Sequence, residues 1–431
     1  MPPESTPQHH HKPYAALQSP NYRRFASGYV LSACGLQMLG TAIGWEIYEQ
    51  TGSAMDLGWA GLARALPVIL LALPAGHLID HLSRQRVLVA TQAAMGVAAG
   101  VLSLASALID DKTLHVASIF TMLFVMGCAR SFNGPSRASL LPEIIPPQDF
   151  HNAVTWNSGI FQFSSTVGPI VAGMMIAWTK TAWPVYVVCA ATCLAFSLAA
   201  STLKPHVEHR ARGALSLRGV TAGAGHVWRE KTILGTITLD LFAVLLGGAT
   251  ALMPVYAKDI LKVGPEGLGL LRASPYVGAF VMALVLAHLP PFKKAGRTLL
   301  LSVAGFGVCT ILFGYCGWFP EGVGFVVALG ALFAAGALDN ISVVVRHVLV
   351  QVRTPPTLRG RVSSVNSVFI ESSNELGAFE SGLVAKFFGP VVSVVSGGIG
   401  TLVVVAAIAM AFPGLRRLEK LELKNDVPAG K

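Results

Sequence analysis

Glu371 and Glu375 stand four residues apart in a stretch, 360–387, whose other positions are largely uncharged. On a helix that spacing puts both carboxyls on one face, one turn apart, with Glu380 rotated well away from Glu371. Carboxylates held out of water can load and release protons, and that is the chemistry this pair suggests. The alternative is a structural ion pair with an arginine such as Arg64 or Arg272, and the residues alone leave both open. Asp240, Asp339 and Arg130 also sit among apolar neighbours. A charge in such surroundings is costly unless paired or hydrated. Arg130 is expected either to serve the site or to reach water with its head group, and Asp339 to pair with it. Glu371, Glu375, Asp240 and Arg130 are therefore the candidate proton-coupling or ligand-binding residues. Glu46, Glu49 and Glu380 are expected nearer the rim of whatever encloses them.

The elements that must hold these residues follow from composition. The chain has 431 residues, 53% hydrophobic and only 13% charged, against nearer a quarter charged in soluble domains. About 20 apolar residues in a helix cross the roughly 30 Å of a bilayer's hydrocarbon. Twelve such spans are predicted, at 24–49, 57–80, 86–109, 114–137, 150–179, 182–203, 232–257, 266–289, 297–317, 322–350, 360–387 and 390–412. Before Tyr22 there is no apolar h-region, so no cleaved signal peptide is expected. His9, His10 and His11 read as tail and not as a metal site. All six cysteines fall inside spans, without disulfide or zinc spacing, as small buried hydrophobes. No cofactor or metal is expected. With no soluble segment long enough for a catalytic domain, an enzyme is not expected either.

Lys and Arg concentrate in alternate loops, at Arg23 and Arg24, Arg84 and Arg86, 204–231, Lys293 to Arg297, Arg353 to Arg361 and Arg416 to Lys424. The opposite loops hold only Lys112, Lys180, Lys258 and Lys262. That bias predicts cytoplasmic termini and reads the net charge of +10 as a topology signal with some pull toward anionic membrane lipid. Charges spread over separate loops exclude a nucleic-acid surface. The chain is also written twice. Arg137, Leu140, Pro146, Pro147, Asn157, Ser158, Gly168 and Gly173 recur 209 positions later as Arg346, Leu349, Pro355, Pro356, Asn366, Ser367, Gly377 and Gly382. A repeat of half the chain predicts a carrier made of two similar bundles. The expected organisation is a tail (1–21), a six-helix bundle (22–203), a linker with one amphipathic helix (204–231), a second six-helix bundle (232–413) and a tail (414–431).

Three motifs carry a resemblance. Gly76-His77-Leu78-Ile79-Asp80-His81-Leu82-Ser83-Arg84-Gln85-Arg86, between spans two and three, resembles the cytoplasmic loop signature of the major facilitator superfamily. In it Gly76 permits close helix contact, and Arg84 and Arg86 can pair with Asp80 or with a neighbouring helix end. Arg130-Ser131-Phe132-Asn133-Gly134 resembles the superfamily's Arg-x-x-Gln-Gly motif of proton-coupled members, with Asn133 where Gln is usual. Gly168-Pro169-Ile170-Val171-Ala172-Gly173 resembles the end of the exporter signature, with Ala172 replacing a glycine and the upstream glycines absent at Thr155 and Ser164. Pro169 removes a backbone bond and gives the helix a bendable point between Gly168 and Gly173.

Trp45 to Ala54 and Asn133 to Pro142 are similar to the branch that contains the enterobactin exporter and macrolide-efflux-type drug–proton antiporters. The resemblance runs from Asn21 to about Pro413. It implies an all-α membrane protein with twelve transmembrane helices in two bundles related by a pseudo-twofold. It further implies a monomeric secondary transporter of a bacterial cytoplasmic membrane, exporting an amphipathic small molecule, siderophore or drug-like, in exchange for protons by alternating access. A lysophospholipid or other lipid-like carrier, or a non-transporting membrane sensor, is the alternative. Phe161, Phe163, Phe242, Phe369 and Tyr276 are the aromatic residues that an amphipathic substrate would be expected to meet.

Overall fold

The structure, a computed structural model, describes residues 13–205, 225–247, 249–290, 292–320, 322–355, 358–416 and 418. The side chains at 72, 73, 76, 77, 80, 360, 361, 364, 365, 367, 368 and 371 lie outside that description, as does most of the expected linker at 204–231. Among the described residues twelve long helices follow one another: α1 Pro20–Thr51, α2 Ala54–His81, α3 Arg84–Leu108, α4 Lys112–Ile144, α5 Phe150–Thr179, α6 Trp183–Ser201, α7 Lys231–Leu246, α8 Gly264–His288, α9 Ala295–Gly314, α10 Val323–Arg353, α11 Arg359–Phe388 and α12 Pro390–Ala411. Local chemistry sets many ends. The side chains of Ser19, Ser53, Ser83 and Asp111 accept from the first free N–H groups of α1 to α4. Gly52 and Lys180 close α1 and α5 in the left-handed region.

Eleven of these segments are long and apolar enough to cross a membrane. The twelfth, α11, has the length, 30 residues, but carries the Ser363–Asn366 and Glu371–Glu375 runs and falls short on hydropathy. So polar a helix is tolerable in lipid only where neighbours cover it, and α2, α7 and α12 pack around α11. Span seven is not one helix. Beyond Gly247 the chain runs through a 3-10 turn (Ala249–Leu252), a short α turn (Met253–Val255) and a π turn (Tyr256–Ile260). Gly247 caps the end of α7, and Pro254 sits in the first turn of the α segment that resumes. Conversely α4 continues past its expected end at 137, through Pro142, to Ile144.

The packing is twofold-symmetric. In the first half α1 packs on α5 and α6, α3 on α4 and α6, and α2 on α4. In the second half the same pairs recur six helices later: α7 on α11 and α12, α9 on α10 and α12, α8 on α10. Between halves two related pairs meet, α5 with α8 and α2 with α11. A single apolar core crosses the halves at the end away from the termini, joining Met38, Tyr48 and Ile176 to Met253, Leu268, Phe313 and Leu332. Toward the termini the core divides. Tyr22, Phe25, Leu140 and Phe196 belong to the first half alone, and Leu239, Leu299, Val345 and Leu349 to the second. The halves are closed together at one end only.

Candidate functional site

At the closed end glycines set the approach of the halves. Gly173 of α5 faces the backbone of α8 at Pro265 and Gly269, and Gly382 of α11 faces that of α2 at Ala54 and Gly58. A Cβ at Gly382 would stand 2.9 Å from Gly58 Cα, so neither seam admits a side chain there. Gly168, by contrast, packs within its own half against Cys34 and Gln37 of α1. The exporter-like motif is thus a packing surface on both sides of Pro169, which α5 carries without a break.

One layer deeper, a belt of polar side chains links the halves. Arg64, about 15 Å along α2 from Ala54, donates from Nη2 to Glu375 Oε1 of α11 at 2.5 Å and from Nε at 3.1 Å. Gly61, one turn earlier, makes the room: a Cβ there would stand 3.4 Å from Glu375 Oε2. Across the pseudo-twofold, Gln162 of α5 donates to the backbone carbonyl of Tyr276 on α8. Gln37 of α1 donates to Ser165 and faces the Tyr276 ring hydroxyl. Arg272 of α8 lies against α1, where Gly40 and Gly44 leave a notch for its guanidinium. It shares the belt with Arg64, and the two cations repel.

The other predicted residues are distributed differently. The Glu371 side chain lies outside the described residues. Asp240 of α7 is buried and pairs with Arg346 of α10, a bond inside the second half. Asp339 joins that group and not Arg130: with Asp240 and Ser342 it lines a cavity of about 10 Å³ between α7, α9 and α10. The expected Arg130–Asp339 pair fails because α10 turns Asp339 toward α7 and Tyr276 of α8. Arg130 is exposed on α4, near Arg137, and Arg137 stacks on the Tyr29 ring at 4.2 Å. Asn133 donates to Thr91 at 3.0 Å, a buried α3–α4 bond.

In the loop signature, Arg84 reaches a neighbouring helix end: Nη1 donates to Glu143 Oε1 at 2.6 Å and to the Ser139 carbonyl at 3.1 Å on α4. Arg86 is exposed, and the side chains of Gly76 and Asp80 lie outside the described residues. Gln85 donates to the Ala200, Ser201 and Leu203 carbonyls, satisfying the last turn of α6.

One site was missed. Glu46, expected at a solvated rim, is buried at 6% exposure. Tyr186 donates to its Oε2 at 2.5 Å, Ser106 to its Oε1, and His115 Nε2 stands 3.3 Å from Oε1. The signal available was His115 within the fourth span, since a titratable ring among apolar residues needs a partner. Which helix supplied it was beyond periodicity. Glu49, three residues on from Glu46, is exposed with Lys258 at 3.9 Å. Of the aromatic candidates, Phe161, Phe163, Phe242 and Phe369 are all exposed, while Tyr276 belongs to the belt.

Comparisons agree with this architecture. The sequence profile of the Major Facilitator Superfamily matches residues 25–378. The chain is 23% identical over 404 residues to the enterobactin exporter EntS of Escherichia coli O1:K1 / APEC, covering 93% of this chain and 94% of that protein. Its fold is similar to a crystal structure of a D-xylose-proton symporter, at a TM-score of 0.72 and 12% identity over 95% of this chain and 99% of that one. It is also similar to a bacterial homologue of the human lysosomal transporter Spinster in an inward-facing, unoccupied conformation, at a TM-score of 0.70 and 13% identity over 95% and 99%.

Proposed function

The chain belongs to the major facilitator superfamily, a family of membrane transporters and not of enzymes, and from that premise we propose that it exports an amphipathic small molecule in exchange for protons. The Lys and Arg bias supports cytoplasmic termini, and the bacterial relatives support the inner membrane. With that orientation the closed end is the outer one, and the molecule is open to the cytoplasm, where an exporter loads its cargo. The observation that carries the reading is the Arg64–Glu375 pair, an ion pair made between halves and not within one.

The pair acts as a latch. With Glu375 ionised and no substrate bound, the bond between α2 and α11 holds the outer end shut. A proton on Glu375 removes one charge and releases it; a substrate group that takes either partner releases it too. A carrier that reorients only with a proton or a substrate aboard exchanges one for the other, and an inward proton gradient then drives substrate out. Glu371, one turn away on the same face, is the second titrating group in this proposal. Asp240 and Arg130 have the weaker claim: Asp240 is held by Arg346 inside one half, and Arg130 lies exposed on α4. The similarity to an enterobactin exporter supports a siderophore-like or drug-like cargo.

The test is transport in inverted vesicles under an imposed pH gradient, with a panel of catechol and drug-like amphipaths. Wild type is expected to accumulate substrate when the interior is acidified. Glu375→Gln, a permanent mimic of the protonated state, is expected to exchange substrate across the membrane but to lose at least tenfold of gradient-driven accumulation. Accumulation at the wild-type level, with the wild-type pH dependence, would sink the assignment.

A further inference from the structure

Arg64 of α2 and Arg272 of α8 are the two belt arginines, carried on helices that the pseudo-twofold exchanges. Arg64 has its carboxylate. Arg272 does not: among the described residues no Asp or Glu stands within ion-pair distance of it. The side chain is partly open, its guanidinium seated in the α1 notch, where a Cβ at Gly40 would stand 3.6 Å from Nη1 and one at Gly44 3.4 Å from Nη2. Around it are donors. Arg64 brings a second guanidinium, Tyr276 and Gln37 add a hydroxyl and an amide, and Asp339 acts on Tyr276. A guanidinium at this depth in a membrane protein ordinarily has a counter-ion, and a fork of N–H donors fits a planar oxyanion.

We infer that Arg272 is the anion-binding residue of the transport site and that the cargo carries an acidic group, a carboxylate or similarly ionised oxygen, on its amphipathic body. The inference rests on the carrier reading above and narrows its substrate class. An oxyanion between Arg272 and Arg64 competes with Glu375 for Arg64, so binding of cargo itself opens the latch. The outward step then moves negative charge away from a negative interior, which the membrane potential assists.

The test is binding to the purified full chain, read as thermal stabilisation at fixed pH with no gradient. The probes share one body and differ in charge: naphthalene-2-carboxylate, naphthalene-2-carboxamide and naphthalen-2-ylmethylammonium. Wild type is expected to bind the carboxylate at least tenfold tighter than the amide, and the cation most weakly. Arg272→Gln is expected to lose that tenfold while binding the amide as before, which also certifies its fold, and Arg272→Lys to keep part of it. Equal discrimination in Arg272→Gln, or preference for the cation, overturns the inference. Displacement of the carboxylate by phosphatidylglycerol in mixed micelles at comparable affinity would assign the site to a lipid headgroup and overturn the cargo reading. The outcomes separate from those above: discrimination at Arg272 without proton-driven transport fails the antiport reading alone, and the reverse fails this inference alone.

Discussion

Arg346 is almost wholly removed from water and meets the Asp240 carboxylate across α7 and α10. Taking away one member of a buried pair strands the other charge, at a cost of about 3–5 kcal/mol, while replacing both with apolar side chains of similar size is close to neutral. Asp240→Leu is therefore expected to lower the unfolding temperature of the detergent-purified protein markedly, and Asp240→Leu with Arg346→Met to restore most of the loss. A double variant as unstable as the single one would show that the pair matters for more than mutual neutralisation. The equivalent arginine 209 positions earlier, Arg137, solves the same problem on the face of Tyr29. The repeat in sequence marked both arginines. It could not say that one would meet a carboxylate and the other a ring, because their partners lie on other helices.

The helices themselves were legible in the pattern, since apolar length is a local property. Their exceptions were not. The Gly247–Pro254 break in span seven and the run of α4 through Pro142 depend on whether neighbours satisfy the freed backbone groups. The α5–α8 seam shows what a helix face decides. Gly173 abuts the backbone of α8, whereas nothing lies within 4 Å of a Cβ built at Gly159 on the same helix. Gly173→Leu is expected to hold the halves apart at the closed end; Gly159→Ala is expected to leave them together. The measurement is the labelling rate of Gln37→Cys, in a background with the six native cysteines replaced, by an impermeant thiol reagent added from the side opposite the termini. Gly173→Leu should raise that rate at least tenfold, and an unchanged rate would mean the seam does not gate access.

At the scale of the molecule, one apolar core and a few polar bonds hold the closed end. Besides Arg64–Glu375, Tyr48 of α1 donates to Asp259 in the π turn after α7, and Lys258 stands near Glu49. Each contact joins one half to the other at that end. A single hydrogen bond contributes about 0.5–1.5 kcal/mol, so Tyr48→Phe is expected to move the equilibrium between closed and open by roughly fivefold. The same Gln37→Cys reporter should show it, and no change would place the closing energy in the apolar core alone. The sequence by itself determined that this is a membrane bundle written twice, with acids and arginines in spans where charge must be accounted for. Hydropathy, repeats and charge bias are carried along the chain and need no partner to be read. Only the tertiary structure decided that Glu375 belongs to Arg64, Asp240 to Arg346 and Glu46 to His115 and Tyr186, and that Arg272 is left facing its like. A buried charge is settled by whichever helix stands opposite, and helical periodicity fixes a face without naming what it meets.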